Sequence, residues 1–133
     1  NIYKREFCNY FKRYNENPKF INKVIFSERD VKITDVFIQR VTPKSQFRWH
    51  TDESTDSCHT CIIYLNDIDT KDGGATEFVC GRKVQPKAGK LLLFPAVWSN
   101  VHRGSFVHKP KYMITAYTDF SPKTTPFPFH VSY

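Results

Sequence analysis

Thr60-Cys61-Ile62-Ile63-Tyr64-Leu65-Asn66 is a short run of β-branched, aromatic and aliphatic side chains, followed by a charged loop, Asp69 to Gly74, that two glycines close. Its length and β-branched content read as a buried strand. The same reading settles the formal C-x-x-C at Cys58-His59-Thr60-Cys61. A redox motif of the thioredoxin kind should open a helix, whereas this one runs into a strand. A zinc site would need a second cysteine pair, and only the isolated Cys8 and Cys80 remain. All four cysteines are therefore read as reduced thiols of a cytoplasmic protein.

Working outward, more strands appear. Lys32 to Val41 is β-branched, Thr42-Pro43-Lys44-Ser45 is a turn, and Phe47 to Asp52 is a short strand. Downstream come Ala75 to Cys80, the edge Val84-Gln85-Pro86, the core run Leu91-Leu92-Leu93-Phe94-Pro95, the short segment Asn100 to Ser105, and the alternating Tyr112 to Phe120. About eight short strands separated by turns point to a sandwich or jelly roll, not a parallel α/β sheet. Residues 2–15 differ, because Ile2, Phe7, Tyr10, Phe11 and Tyr14 form one stripe at helical spacing that Asn15-Glu16-Asn17-Pro18 ends. The expected fold class is mainly β with an N-terminal helix. A single domain over residues 1–133 is expected: helical support over about 1–30, a β core over about 32–120 and an irregular tail over 121–133.

The chain has 133 residues and a formal net charge of +7. Lys and Arg are scattered, which reads as a solvated basic surface more than as a nucleic-acid footprint. The charge would also help attract an anionic cosubstrate. No apolar run is long enough to span a bilayer, so no membrane partner is expected.

The chemistry-bearing residues begin at His50-Thr51-Asp52. Alternation along a strand would put His50 and Asp52 on one face. A later strand could bring His102 to the same point. Two imidazoles and one carboxylate are the minimal facial set for a non-haem Fe(II) that keeps coordination positions open. Lys111 follows His102 by nine residues. His59, His108 and His130 sit in no matching position and are read as structural.

Taken in order, Phe47-Arg48-Trp49-His50-Thr51-Asp52, Thr60 to Asn66, Gly73-Gly74-Ala75-Thr76-Glu77-Phe78, Pro86 to Pro95, His102-Arg103-Gly104 and Lys111-Tyr112-Met113-Ile114-Thr115 resemble the Fe(II)- and 2-oxoglutarate-dependent dioxygenases of the prolyl 4-hydroxylase-like branch. The resemblance runs from about residue 32 to residue 120. It implies a double-stranded β-helix (cupin-like), with Fe(II), 2-oxoglutarate and O2 as cofactors and ascorbate as an auxiliary reductant. It implies that His50, Asp52 and His102 bind the metal. Lys111 would meet the distal carboxylate of the oxoacid, with Tyr64 and Thr115 adding hydrogen bonds. Gln39 or Arg40 would help hold the proximal carboxylate. The implied reaction releases succinate and CO2 and hydroxylates an aliphatic carbon of a peptide side chain, proline among the candidates, or of a small amino-acid-like substrate. Asp52 favours hydroxylation, since related halogenases carry a small residue there.

The chain departs from the family pattern at three places. The segment between Asp52 and Tyr64 is short, Ser57-Cys58 stand where an Arg is often seen, and Val41 replaces a usual tyrosine. These changes bear on the substrate and leave the metal set intact. Two other functions compete. A nucleic-acid oxidative demethylase is disfavoured because Lys109 to Tyr117 contains no Arg, and a non-catalytic jelly-roll binding module is disfavoured by the complete ligand set. Trp49 and Trp98 are candidates for the pocket wall, and Lys109 is the nearest competitor of Lys111. The bland alternative for Thr76-Glu77 is plain strand surface.

Overall fold

A computed structural model describes residues 31–53 and 59–120, together with Arg5, Glu6, Asn9, Lys12, Arg13 and Glu16. The chain divides into two compact units, residues 33–119 and a second formed by 1–32 and 120–133. The expected helix over residues 2–15 and the tail over 121–133 fall in the second unit, largely outside the described residues, and no N-terminal helix is established as an element of the fold. Cys8, Cys58 and His130 also lie outside the described residues.

The first unit is built of strands β1 (Val31–Val41), β2 (Phe47–His50), β3 (His59–Tyr64), β4 (Thr76–Phe78), β5 (Lys83–Val84), β6 (Leu91–Pro95), β7 (His102–Gly104) and β8 (Lys111–Phe120). They form two four-stranded sheets, ordered β1-β8-β3-β6 and β2-β7-β4-β5. Consecutive strands repeatedly cross between the sheets, which gives a jelly-roll-like fold. β3 lies antiparallel between β6 and β8, so Thr60 to Tyr64 is buried on both edges, as its near-continuous apolar run requires.

Buried residues from both sheets meet in one core: Val41, Ile62, Tyr64, Phe94 and Met113 from the first, Phe78 from the second, and Ile68 and Val107 from the connections. Phe78 and Phe94 meet edge to face at 5.0 Å. In β8 the period-two pattern is plain at the start, where Lys111 and Met113 are buried and Tyr112 is exposed.

β2 departs from the expected strand over Phe47 to Asp52. Phe47 pairs with Gly104 and His50 with His102, so three steps on β2 match two on β7. The extra residue is a bulge, a device that re-aims side chains. The strand ends at His50, and Asp52 lies beyond it in irregular backbone. Simple alternation therefore does not place Asp52.

The glycine pair after the charged loop has a steric reason. Gly73 and Gly74 both have positive φ, 74° and 73°, which glycine adopts without penalty. A Cβ at Gly73 would collide with the Phe106 carbonyl oxygen. Gly74 N–H donates to that same oxygen at 2.9 Å, which locks the loop against the segment leading into β8.

Candidate active site

His50 from β2 and His102 from β7 stand side by side, with ring centroids 4.4 Å apart. Each ring is held in the same way. Nδ1 of His50 meets the Arg48 carbonyl oxygen at 2.7 Å, and Nδ1 of His102 meets the Asn100 carbonyl oxygen at 3.0 Å. With Nδ1–H donating to backbone, Nε2 carries the free lone pair. Both Nε2 atoms face Asp52, His50 at 3.5 Å from Oδ1 and His102 at 3.4 Å from Oδ2. One ligand atom from each of the three residues lies within 4.8 Å of the others.

The surroundings keep His102 a neutral imidazole. It packs against Phe94 at 4.8 Å and Phe78 at 5.8 Å. Burial holds its pKa below the usual imidazole value, outweighing the opposing pull of the Asn100 carbonyl and of Asp52. The neutral ring is the form that binds metals. Two imidazoles and a carboxylate converging on one point fit Fe(II) with open positions. His50, Asp52 and His102 are the residues that could hold it.

Asp52 is held by two hydroxyls. Thr60 Oγ1 donates to Oδ2 at 2.7 Å, and Tyr117 OH donates to Oδ1 at 3.4 Å. Burial first, then the Asp52 charge, push the Tyr117 phenol up to about 12, so it stays a donor. Neither residue was among the sequence candidates. Tyr117 was findable by counting, since Lys111, Met113, Thr115 and Tyr117 are alternate residues of β8 and all line one cavity.

That cavity also contains the His50, Asp52 and His102 side chains and Lys111. Lys111 is 1 % exposed, and its Nζ donates to the Gly74 carbonyl oxygen at 3.0 Å. Among the described residues no carboxylate lies within ion-pair distance of Nζ. Burial pushes the amine down to about 8. An ammonium taken out of water without a countercharge is costly, so the cavity suits an anionic ligand. Lys109 behaves differently: it is exposed and pairs with Asp72 at 2.8 Å.

The remaining candidates divide. Thr115 and Gln39 line the cavity, but they bond to each other, Thr115 Oγ1 donating to Gln39 Oε1 at 2.7 Å. Arg40 is exposed and outside the lining. Tyr64 is fully buried and outside the lining too. Its hydroxyl pairs instead with Thr76 Oγ1 at 2.7 Å, and Thr76 is the buried residue that faces the cavity. The surface reading of Thr76-Glu77 is thus corrected for both residues, which are buried on β4. Glu77 is ion-paired to Arg103 and Lys83 at 2.7 and 2.9 Å. Trp49 stacks under Arg103 at 4.8 Å, and neither it nor the exposed Trp98 lines the cavity. The alternation that puts His50 into the site turns Trp49 away from it.

Comparison with known proteins agrees with this geometry. Residues 36–119 match the 2OG-Fe(II) oxygenase superfamily. No curated protein matches the chain in sequence. Among solved structures, the chain is similar to a Pseudomonas putida prolyl-4-hydroxylase, with a TM-score of 0.58 and 21 % identity over 65 % of this chain and 51 % of that one. It is similar to the viral collagen prolyl hydroxylase of Paramecium Bursaria Chlorella virus-1, with a TM-score of 0.65 and 21 % identity over 87 % of this chain and 68 % of that one. A third is the Trichoplax adhaerens prolyl hydroxylase in complex with a hypoxia inducible factor peptide, with a TM-score of 0.60 and 23 % identity over 66 % of this chain and 46 % of that one. The chain thus spans about half the length of the first of these proteins. At these identities the structural likeness speaks for the fold. With the matched residues reaching from β1 to β8 and enclosing the two-histidine, one-aspartate cluster, the chain belongs to the 2OG-Fe(II) oxygenase superfamily.

Proposed function

We propose that this chain is an Fe(II)- and 2-oxoglutarate-dependent hydroxylase built on a double-stranded β-helix, acting on an aliphatic carbon of a peptide side chain or of a small amino-acid-like molecule. One observation carries the reading: the His50–Asp52–His102 cluster and the buried Lys111 ammonium, which meets no carboxylate among the described residues, share one cavity. His50, Asp52 and His102 would hold the iron. Lys111 would neutralise the distal carboxylate of 2-oxoglutarate, with Thr76 beside it. Thr115 and Gln39, already bonded to each other, would form the neighbouring wall. Iron, 2-oxoglutarate and dioxygen supply the oxidising chemistry when bound, giving succinate and CO2 with the hydroxylated product. The protein's part is placement and exclusion of water, to which Phe47, Ile62 and Met113 contribute as apolar lining.

The prolyl hydroxylases among the similar structures support a peptide, with proline a candidate. Free Cys61 and Cys80 agree with a reducing, cytoplasmic setting, and no described helix is long and apolar enough to cross a membrane. The test is succinate formation from 2-oxoglutarate, with and without iron, on peptide and amino-acid libraries read by mass spectrometry. Iron-dependent succinate that disappears in Asp52→Ala supports the assignment. Intact protein that takes up no iron and makes no succinate would instead be a jelly-roll binding module.

A further inference from the structure

Asp52 is the weakest-anchored member of the cluster by backbone and the best-anchored by side chain. His50 and His102 are directly paired across two strands. Asp52 has no strand partner, yet its side chain is only 7 % exposed. Among the described residues no Arg or Lys pairs with it; a buried carboxylate needs donors, and Thr60 and Tyr117 provide them. These two residues are themselves a cross-strand pair, Thr60 of β3 directly opposite Tyr117 of β8. They belong to one sheet, whereas Asp52 follows β2 of the other.

The contacts are also apportioned. Oδ2 receives Thr60 and faces His102, while Oδ1 receives Tyr117 and faces His50. An ionised carboxylate oxygen has two acceptor sites. One hydroxyl on each leaves each oxygen one further site on the side of the imidazoles. The shorter contact, 2.7 Å against 3.4 Å, makes Thr60 the firmer restraint.

We infer that Thr60 and Tyr117 are a pair of positioning residues that orient the Asp52 carboxylate as a metal ligand across the gap between the two sheets, with Thr60 dominant. The inference rests on the metal reading proposed above. It separates from a purely structural role because orientation acts on the bound ion. Loss of a hydrogen bond to a metal-binding side chain typically weakens metal affinity about 10- to 100-fold. Thr60→Val removes the hydroxyl at nearly constant shape and Thr60→Ser retains it. Tyr117→Phe removes only the phenol oxygen.

The experiment titrates the full chain and each variant with Fe(II) under anaerobic conditions and with Co(II), reading affinity and the Co(II) visible spectrum. Thermal melting of the metal-free proteins is measured alongside. Thr60→Val should bind either metal 10-fold or more weakly with a changed Co(II) spectrum, Tyr117→Phe should lose less, and Thr60→Ser should restore affinity and spectrum. Wild-type affinity and spectrum in both Thr60→Val and Tyr117→Phe would overturn the positioning role while leaving the metal site standing. Lower melting temperatures with unchanged affinity in the folded fraction would overturn it too, as the mark of a structural contact only. Absence of metal binding by the unaltered protein, with Asp52→Ala no different, would sink the metal reading and this inference together.

Discussion

The two sheets of the β unit divide the site between them. The β2-β7-β4-β5 sheet has strands of four, three, three and two residues, and it supplies His50, His102 and Thr76. The β1-β8-β3-β6 sheet has strands of eleven, ten, six and five residues, and it supplies Gln39, Lys111, Thr115, Tyr117 and Thr60. The first sheet presents its imidazoles from short strands, β2 bulged and β7 regular, each ring pinned to its own backbone. The second offers a long regular surface on which Lys111, Thr115 and Tyr117 face the cavity from one side of β8 with Met113 among them. Metal ligands need angles that an ideal pleat does not give, and a bulge supplies them. An anion needs a cation and donors along a line, which regular alternation does supply.

That division should show up as separable losses. Asp52→Ala, at the junction of the two sheets, is expected to bring iron-dependent succinate formation down to background. Retained turnover would show that the short-strand sheet is not the metal side. Lys111→Ala should raise the 2-oxoglutarate requirement on the order of 100-fold, from about 3 kcal/mol for a buried charge contact, while iron affinity changes far less. Equal losses of both would erase the division and show that Lys111 is misassigned.

The Lys111 amine, pushed down to about 8 from 10.5, gives a test with two opposite signs. Between these values the unfolded chain holds a proton that the folded, ligand-free protein has released. Folding stability should therefore gain from Lys111 as pH rises through that window, being lowest below pH 8. Affinity for 2-oxoglutarate should fall over the same range, because only the ammonium attracts its carboxylate. Denaturant midpoints and ligand titrations on the same protein, with Lys111→Met as the flat control, would reveal whether the two slopes oppose.

A smaller effect is expected at Gly104, which lines the cavity beside the ammonium. A Cβ there would lie 3.2 Å from Phe47 Cδ2 and 3.7 Å from Lys111 Nζ. The Phe47 ring can give way, so Gly104→Ala should weaken 2-oxoglutarate by about 1 kcal/mol, roughly fivefold, with iron affinity kept. Lys109→Ala should leave both ligands untouched, since that amine is exposed and paired with Asp72. A change in the 2-oxoglutarate requirement there would reopen the choice between the two lysines.

The strand pattern was largely legible because each strand is a short apolar or alternating run between turn residues. Leu91–Pro95 was read to the residue, and Lys111–Phe120 to within one. Two 3-10 turns, Thr70–Asp72 and Trp98–Asn100, went unread, since three residues give no period. In the candidate site, the gathering of His50, Asp52, His102 and Lys111 around one cavity was legible from spacing and resemblance. For Tyr64, family position indicates a strand face but not which partner a hydroxyl will find, and here its hydroxyl meets Thr76. Thr60 and Tyr117 were missed because their partner, Asp52, reaches them from the other sheet.

The order of residues alone determined the eight strands, the two imidazoles and carboxylate that could share a metal, and the lysine that follows them. Those features depend on side-chain chemistry and on a period of two, both local properties of the chain. Only the packing of one sheet on the other decided which hydroxyl faces Asp52 and that Lys111 and not Lys109 is stripped of water. Desolvation and hydrogen-bond partnership depend on atoms distant in the chain, and no local period encodes them; the one-residue bulge in β2 is likewise invisible to a period of two.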